Sequence, residues 1–314
     1  MIRRLQYTIS QDDHGKRINL FLKERNYSTT LINMLKQSEL GIQRNGVRAF
    51  TNERLQLGDQ LEICIEEHAP AAGITPYEYP LQVLYEDEDI LVINKPHNMP
   101  IHPSINHYDN TLANAVAHYC KEKQENYVFR CINRLDRDTT GATIIAKHAL
   151  SAGILSDQVK ERKIHRTYVA LVEGNVKEQG IVDLPIGRKE GSVIERQVDH
   201  ENGKRAVTHF KKIQTIKVND KQVSKIQLKL ETGRTHQIRV HMSYMNHPLL
   251  GDFLYNEGCN LMSRQALHSA KLVFDHPITG EVIDIVAELP EDMKRIMELR
   301  ENEEIAAAGD FVLR

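Results

Sequence analysis

The sequence lacks the features that mark secreted and membrane proteins. Its four cysteines form no Cys-x-x-Cys pair and show no metal-ligand spacing, which indicates reduced thiols rather than a disulfide framework. No apolar run approaches the roughly 20 residues that a membrane-spanning helix needs. The first residues also lack the apolar core of a signal peptide. We therefore expect a cytoplasmic protein that does not associate with membranes.

Signatures of cofactor binding are absent as well. The sequence contains no glycine-rich phosphate loop and no dinucleotide-binding fingerprint. Its fifteen histidines are scattered, and His236 and His241 are five residues apart, which is not the spacing of a helical zinc pair. These absences predict a protein without metal or organic cofactor.

Charge is unevenly distributed along the chain. The net charge is −2, but residues 14–48 carry seven Lys or Arg against two Glu, and residues 281–310 carry ten acidic against three basic residues. Local basic patches, rather than overall charge, mark a surface that binds phosphates. Ordinary solvated helix faces would explain the same pattern.

At 314 residues the chain is long enough for two domains. We predict a small unit at 13–66, a linker at 67–80 marked by three prolines, a larger domain at 81–300, and a polar tail at 301–314. Strand and helix patterns mix irregularly in the larger domain, which favours an α+β fold over a doubly wound one.

The small unit shows two amphipathic helical patterns followed by a hairpin. Asn45-Gly46 favours the positive φ angles of a tight turn. The later segment Leu57-Gly58-Asp59-Gln60-Leu61 leads into an alternating strand. With a basic pair, Lys16 and Arg17, near the start of the first helix, this order resembles an S4 RNA-binding domain, although any small α+β module remains an alternative.

One loop of the larger domain carries a candidate nucleophile. In the run from Arg134 to Gly141, Asp136 lies between two arginines and ahead of a turn-prone Thr-Thr-Gly. Opposite charge within a few ångströms favours an ionised carboxylate, and an ionised, held aspartate can be a nucleophile. A surface turn with ordinary ion pairs is the alternative.

Several further motifs occur in a fixed order around this loop. Asn94-Lys95-Pro96 precedes it, and the segments 163–174, 232–241 and 246–252 follow it. Together they resemble the RluA-type pseudouridine synthases of bacteria. The resemblance covers residues 13 to 290. It implies a catalytic domain built on a mixed, largely antiparallel β-sheet with flanking helices.

The resemblance also implies residue roles. Asp136 matches the catalytic aspartate, Tyr168 the tyrosine that lies against the flipped base, and Arg234 the arginine that ion-pairs with the aspartate. Two positions depart from the family pattern, because Asn133 replaces a histidine and Thr140 replaces a serine. Thr140 keeps a hydroxyl, and Asn133 keeps a side-chain donor.

Candidate RNA contacts lie in both units. Arg134 matches an arginine of the catalytic loop, and His236 and Arg239 are open to either helix packing or phosphate contact. The full set of predicted RNA-binding residues is Arg134, Arg137, His236, Arg239, Lys16, Arg17, Lys36 and Arg44.

The expected activity is isomerisation of specific uridines to pseudouridine in structured RNA by a monomeric enzyme. The resemblance favours large-subunit ribosomal RNA, with transfer RNA as an alternative. A non-catalytic RNA-binding or assembly factor is a second hypothesis. A glycosidase is a third, but that chemistry needs a second carboxylate, and Asp138 is the only near neighbour in sequence.

Overall fold

A computed structural model describes residues 1–67, 74–104, 108–126 and 128–299 of the chain. Its elements form two units, each with its own sheet. The predicted tail at 301–314 and residues 68–73 of the predicted linker lie outside the described residues. No helix within these ranges combines the length and the apolar character needed to cross a membrane.

The N-terminal unit is a four-stranded antiparallel sheet with two helices packed on it. Its strand order is β1-β4-β2-β3. Ser28 caps the second helix, since its Oγ accepts a hydrogen bond from Leu31 N at 3.1 Å. The predicted turn forms at Asn45 and Gly46, with φ of 53° and 78°. The elements are β1 (Ile2–Thr8), α1 (Ile18–Glu24), α2 (Thr29–Gln37), β2 (Ile42–Arg44), β3 (Val47–Arg48) and β4 (Gln60–Glu66).

This unit begins earlier than the sequence-based boundary at 13. β1 pairs with β4 from Ile2↔Glu66 to Thr8↔Gln60, so the N-terminal strand belongs to the same sheet. Apolar and polar side chains do not alternate clearly along Ile2–Thr8, and only Leu5 of that strand is buried. The pattern in the sequence was therefore too weak to predict this strand.

The larger unit is built on a nine-stranded sheet of the described residues, as the α+β prediction required. The strand order is β5-β6-β7-β14-β8-β13-β12-β9, and β15 pairs with β14. Its elements are β5 (Val83–Glu86), β6 (Ile90–Lys95), α3 (Leu112–Glu122), β7 (Thr140–Ala146), α4 (Ala149–Lys160), β8 (His165–Glu173), β9 (Gln179–Asp183), β10 (Ile186–Arg188), β11 (Arg196–Val198), β12 (Val207–Val218), β13 (Lys221–Leu230), α5 (Gln237–Tyr244), β14 (Leu267–Asp275), β15 (Val282–Val286) and α6 (Glu291–Glu298).

The sheet is mixed and largely antiparallel. Only the contact of β7 with β14 is parallel among the described pairings, and it is short, with His268↔Thr140 and Ser269↔Gly141. β7 is buried along its whole length, which agrees with its position inside the sheet. The catalytic-loop motif therefore leads directly into an interior strand.

Segment 74–80 has no regular secondary structure, as its prolines predict, but it is packed against the larger unit. Asn114 Nδ2 on α3 donates to Thr75 O at 2.8 Å, and Tyr77 N donates to Asn114 O at 3.0 Å. Ile74 and Tyr79 pack on the same apolar cluster as α3. This half of the predicted linker therefore lies on the domain surface.

The N-terminal unit is docked on α4 of the larger unit. Leu150 belongs to the same buried cluster as Phe21 and Leu22 of α1, and Ile154 packs against that cluster. Glu67 is also buried, and it accepts hydrogen bonds from Arg130 Nη2 and Ala149 N, both at 2.9 Å. Apolar burial and paired charge thus join the two units.

A second set of charges reinforces this junction. Arg3 on β1 donates to both carboxylate oxygens of Asp89, at 2.7 and 3.1 Å, and His148 Nε2 lies 2.8 Å from Asp89 Oδ1. Burial would raise the pKa of Asp89, but the hydrogen bonds from His148 and Arg3 outweigh it and lower that pKa to about 2. We call the contact between Arg3 and Asp89, which His148 supports, the interdomain ion pair.

We predict that Arg3→Met destabilises the protein at neutral pH. A depressed carboxylate pKa contributes stability above the unfolded value near 4, and that contribution is lost as the pH falls toward about 2. The shift corresponds to roughly 2 kcal/mol for Asp89 as a whole. Urea unfolding of wild type and variant should show a difference at pH 7 that shrinks below pH 4.

Arg4→Met is the matched control. Arg4 lies on the same strand and pairs with Glu62, but its side chain is 50% exposed, against 17% for Arg3. Exposed ion pairs contribute about 0–1 kcal/mol. Equal losses of unfolding free energy in the two variants would show that the interdomain ion pair contributes no more to stability than an exposed ion pair.

Candidate active site

The loop that carries Asp136 is tied to the strand that follows it. Asn133 is buried, its Nδ2 donates to Ala142 O at 3.0 Å, and its Oδ1 accepts from Ile144 N at 2.7 Å. Both ends of the side-chain amide are therefore used on the backbone of β7. Asn133, which stands where the family usually has histidine, therefore ties the loop to the backbone of β7.

The start of β7 fixes the other end of the loop. Gly141 has φ of +112°, and a Cβ there would lie 2.3 Å from Ser269 O on β14. Only glycine fits this close parallel contact. Thr140 Oγ1 lies 2.8 Å from His268 Nδ1, and burial lowers the pKa of His268 to about 4. The hydroxyl retained at Thr140 therefore bonds to a neutral histidine.

Asp136 is held by Arg239 of α5. Arg239 Nη1 donates to Asp136 Oδ2 at 3.3 Å, while its Nε and Nη2 donate to the two oxygens of Asp252, both at 2.7 Å. The Asp136 side chain is 27% exposed, whereas those of Arg239 and Asp252 are 3% and 0% exposed. A buried ion pair thus supports a carboxylate that faces the open cleft.

The pKa of Arg239 reflects both of its partners. Burial alone would lower it, but the hydrogen bonds to Asp252 and the negative charges of Asp252 and Asp136 raise it above its ordinary value. The guanidinium therefore stays charged and presents one N–H to each of three carboxylate oxygens.

His236 lies beside the same carboxylate. It precedes α5 in the left-handed conformation, with φ of 56°, and its Nε2 is 4.0 Å from Asp136 Oδ2. Tyr255 Oη accepts from Arg196 N at 2.8 Å and lies 3.0 Å from His236 Nδ1. Burial lowers the pKa of His236 below its ordinary value, so the ring is held close to Asp136 with a reduced tendency to carry a proton.

Tyr168 lies in the cleft next to Asp136, within the sheet. It is paired with Leu228 on β13 and Ser269 on β14, and it packs in an apolar cluster with Leu135 and Ile238. Burial raises the pKa of its hydroxyl. At neutral pH the ring is therefore an uncharged aromatic surface.

These residues line one cleft with a volume of about 550 Å³. Its lining includes Asp136, Tyr168 and His236, with Gly233 and Arg234 on the loop before α5. The structure thus brings together the predicted nucleophile, the predicted aromatic and both arginines of the 232–241 motif.

The predicted pairing of Arg234 with Asp136 is not what the structure shows. Arg234 is exposed, and its Nε donates to Arg205 O at 3.1 Å. Arg239 occupies the pairing position instead. The physical reason is that Arg234 lies in the loop before α5, whereas Arg239 follows the helix start at Gln237 and is carried on its buried face.

The two arginines next to Asp136 in sequence also do not pair with it. Arg137 donates to Asp138 Oδ2 through Nε and Nη2, at 3.0 and 2.9 Å, and Arg134 is exposed at the cleft lining. Asp138 Oδ1 accepts from Asn98 N at 3.1 Å. Asp138 is thus occupied in holding the loop, which argues against a paired-carboxylate site.

Lys95 supports the loop from beneath and had no role in the sequence analysis beyond its motif. It is fully buried, and its Nζ donates to the carbonyls of Pro96, Met99 and Arg137 at 2.8–2.9 Å. Burial lowers its pKa to about 7. The lysine connects the carbonyl next to Asp136 with the turn after β6.

The predicted RNA contacts of the N-terminal unit fall into two groups. Arg17 and Lys36 are exposed. Lys16 pairs with Asp13 and Glu24 at 2.9 and 2.7 Å, and Arg44 pairs with Glu53 at 3.0 Å. The latter two are therefore partly neutralised within the unit.

Sequence reasoning missed Asp252 as part of the site. The residue ends the motif 246–252, but nothing in that motif alone connects it with Asp136. The available signal was Arg239, a charged side chain on a helix whose neighbours Ile238, Val240 and Met242 are apolar. A buried guanidinium requires a carboxylate partner.

Comparison with known proteins identifies the family of this chain. The family model described as RNA pseudouridylate synthase matches residues 89–244. The chain is 37% identical over 297 residues to the uncharacterized RNA pseudouridine synthase YhcT of Bacillus subtilis, covering 90% of this chain and 97% of the relative. It is 34% identical over 317 residues to ribosomal large subunit pseudouridine synthase D of Escherichia coli O6:H1, covering 95% of each.

The fold is shared with solved structures of the same group. Human RNA pseudouridylate synthase domain containing 1 aligns with a TM-score of 0.58 and 28% identity, covering 67% of this chain and 83% of that one. The family match, the similarity to relatives along nearly the full chain, and this fold agree with one another. The chain belongs to the RNA pseudouridine synthases, isomerases that convert uridine to pseudouridine in RNA, and it is of the RluA type.

Proposed function

We propose that this enzyme isomerises specific uridines of large-subunit ribosomal RNA, with Asp136 as the nucleophile acting on a base extruded into the cleft. The observation that carries the proposal is the half-open position of Asp136, which faces the cleft while Arg239 and Asp252 hold it from the buried side. Tyr168 supplies the neighbouring aromatic surface.

The isomerisation of uridine to pseudouridine rearranges bonds within one nucleotide. The N1–C1′ bond breaks, a C5–C1′ bond forms, and the proton leaving C5 is balanced by one gained at N1. No electron leaves the nucleotide, so the isomerisation needs neither a redox cofactor nor a phosphate donor. It needs an oxygen nucleophile at C1′ or C6, or a group that assists deprotonation of the sugar. In this proposal Asp136 supplies that group.

The RNA class rests on the relatives. The Escherichia coli relative is named for the large ribosomal subunit, and so is the synthase D of Yersinia pestis, 36% identical over 310 residues. Transfer RNA is the competing substrate. A non-catalytic role is disfavoured by the geometry, because Arg239 and Tyr168 are both in place around Asp136, whose side chain is partly exposed to the cleft.

Mapping pseudouridines in a strain that lacks the protein tests both parts. We expect one or more sites in large-subunit ribosomal RNA to be lost and then restored by the wild-type protein. Complementation with Asp136→Asn should restore none, since loss of an essential nucleophile costs roughly 10⁴-fold or more in rate.

Different results would contradict the RNA class and the nucleophile. Loss of sites in transfer RNA alone would refute the RNA class but not the nucleophile. Turnover by purified Asp136→Asn within tenfold of wild type would refute the nucleophile, provided that the variant binds RNA and unfolds at the wild-type temperature.

Arg239→Lys should slow the chemical step. Lysine keeps the charge but lacks the planar fork that contacts Asp252 and Asp136 together. A displacement of the carboxylate by about 1 Å can cost on the order of 10²-fold. The measurement is the single-turnover rate at saturating RNA, with the pseudouridine product counted directly.

Arg234→Lys is the control for that variant. Arg234 lies on the same motif and lines the same cleft but is exposed and does not pair with Asp136. Its single-turnover rate should stay within about threefold of wild type, because no transition-state contact is removed. If the single-turnover rate fell more in Arg234→Lys than in Arg239→Lys, Arg234 rather than Arg239 would be the functional partner of Asp136.

We also propose that the N-terminal unit is an S4-like domain that adds RNA affinity through its exposed cations. Each phosphate contact on single-stranded RNA contributes about −0.7 to the slope of log affinity against log salt. Replacing Arg17 and Lys36 with Gln should flatten that slope by about 1.4. Replacing the ion-paired Lys16 and Arg44 should change it less, and a larger change in this second pair would contradict the assignment.

A further inference from the structure

An exposed aromatic side chain lies near the arginine that holds Asp136 and has no role in the site described so far. Phe253 is 54% exposed, although its neighbour Asp252 is fully buried. Asp252 Oδ1 accepts from the backbone N–H groups of Leu254 and Tyr255 at 3.1 and 3.3 Å. The turn that holds Arg239 therefore also fixes the backbone on either side of Phe253.

The ring stands between two guanidinium groups of the site. Its centroid is 5.9 Å from Arg137 Cζ and 5.7 Å from Arg239 Cζ. Arg239 in turn reaches Asp136 at 3.3 Å. Arg239 thus contacts both Phe253 and Asp136. The side chain of Arg137, which pairs with Asp138, is 43% exposed and so keeps part of its guanidinium plane accessible.

A role as an apolar cover for the Arg239–Asp252 pair does not account for this exposure. Tyr255 already lies over Arg239, with its centroid 5.1 Å from Cζ, and the side chains of the pair are 3% and 0% exposed. Tyr255 therefore already supplies an aromatic cover for Arg239, while more than half of the Phe253 side chain faces solvent.

The reaction creates a need for such a surface. Extruding a uridine into the cleft unstacks the nucleotides on either side of it. Proteins that bind unpaired RNA place the exposed bases on aromatic rings and on arginine planes. An exposed aromatic ring beside an exposed arginine, close to the arginine that holds Asp136, matches that chemistry.

The geometry points to Phe253, together with Arg137, as a stacking platform for the base adjacent to the target uridine. The platform holds the RNA next to the extruded nucleotide and takes no part in bond making. This inference rests on the RNA pseudouridine synthase activity and is independent of which RNA class is modified.

The test separates stacking from covering. Phe253→Leu keeps apolar volume but has no aromatic face, Phe253→Ala removes both, and Phe253→Trp keeps the aromatic face. Total RNA from the deletion strain, labelled with tritium at uridine C5, is a substrate whatever the RNA class, because the reaction releases that hydrogen. Rates are measured under single-turnover conditions over a range of enzyme concentration.

We expect Leu and Ala to raise the half-saturating concentration about tenfold, the effect of losing one base–aromatic stack. Rates at saturation should remain within about threefold of wild type, and Trp should match wild type in both parameters. The opposite split, with Leu equal to wild type and Ala slowed at saturation, would mean that the ring is a cover and would overturn the proposal.

A second measurement places the contact on the RNA. In a stem-loop that contains the mapped uridine, an abasic nucleotide at the stacking position should abolish the advantage of wild type over Phe253→Leu. An advantage that persists with abasic nucleotides on both sides of the uridine would refute stacking on a flanking base. Because Phe253 is exposed, unchanged thermal midpoints are expected for all three variants.

Discussion

The ion pair between Arg239 and Asp252 is the interaction on which the catalytic geometry depends. Two buried charges satisfy each other through two hydrogen bonds of 2.7 Å, and one N–H of the guanidinium is left for Asp136. If Asp136 forms a bond to the nucleotide, its charge disappears. Asp252 then still neutralises Arg239, so that the intermediate contains no unpaired buried cation, which would be strongly unfavourable. Without Asp252, an arginine in this position would be left as an unpaired buried cation once Asp136 had lost its charge.

The same requirement explains why distant segments converge at the cleft. Asp136 belongs to the loop before β7, Arg239 to α5, and Asp252 to the turn after that helix. The loop is anchored by Asn133 and Lys95, and it enters the sheet at Gly141, where the close approach of β14 permits no side chain. Rigid strands on one side and a buried ion pair on the other restrict the carboxylate without covering it.

Local chemistry made part of this arrangement predictable from sequence. The residues around Asp136 marked it as a candidate nucleophile, whereas Tyr168 was predicted only through the family resemblance. The α+β class followed from the irregular order of strands and helices. Arg234 and Arg239 could not be separated in the same way. Both lie in one ten-residue motif, and the choice depends on where α5 begins, which is among the least certain features of any pattern. Arg239 on an apolar helix indicated that some carboxylate must pair with it, but the sequence could not select Asp252, because that pairing is a tertiary contact.

The docking of the N-terminal unit shows a similar limit. Charge and proline pattern indicated a separate unit, but Leu150 and the interdomain ion pair join it to the start of α4. The other end of that helix reaches the cleft, whose lining includes Val159 and Lys160. Twelve helical residues span about 18 Å. RNA bound to both units would therefore meet two surfaces at a preset separation, and little orientational freedom would remain to be lost when the second contact forms.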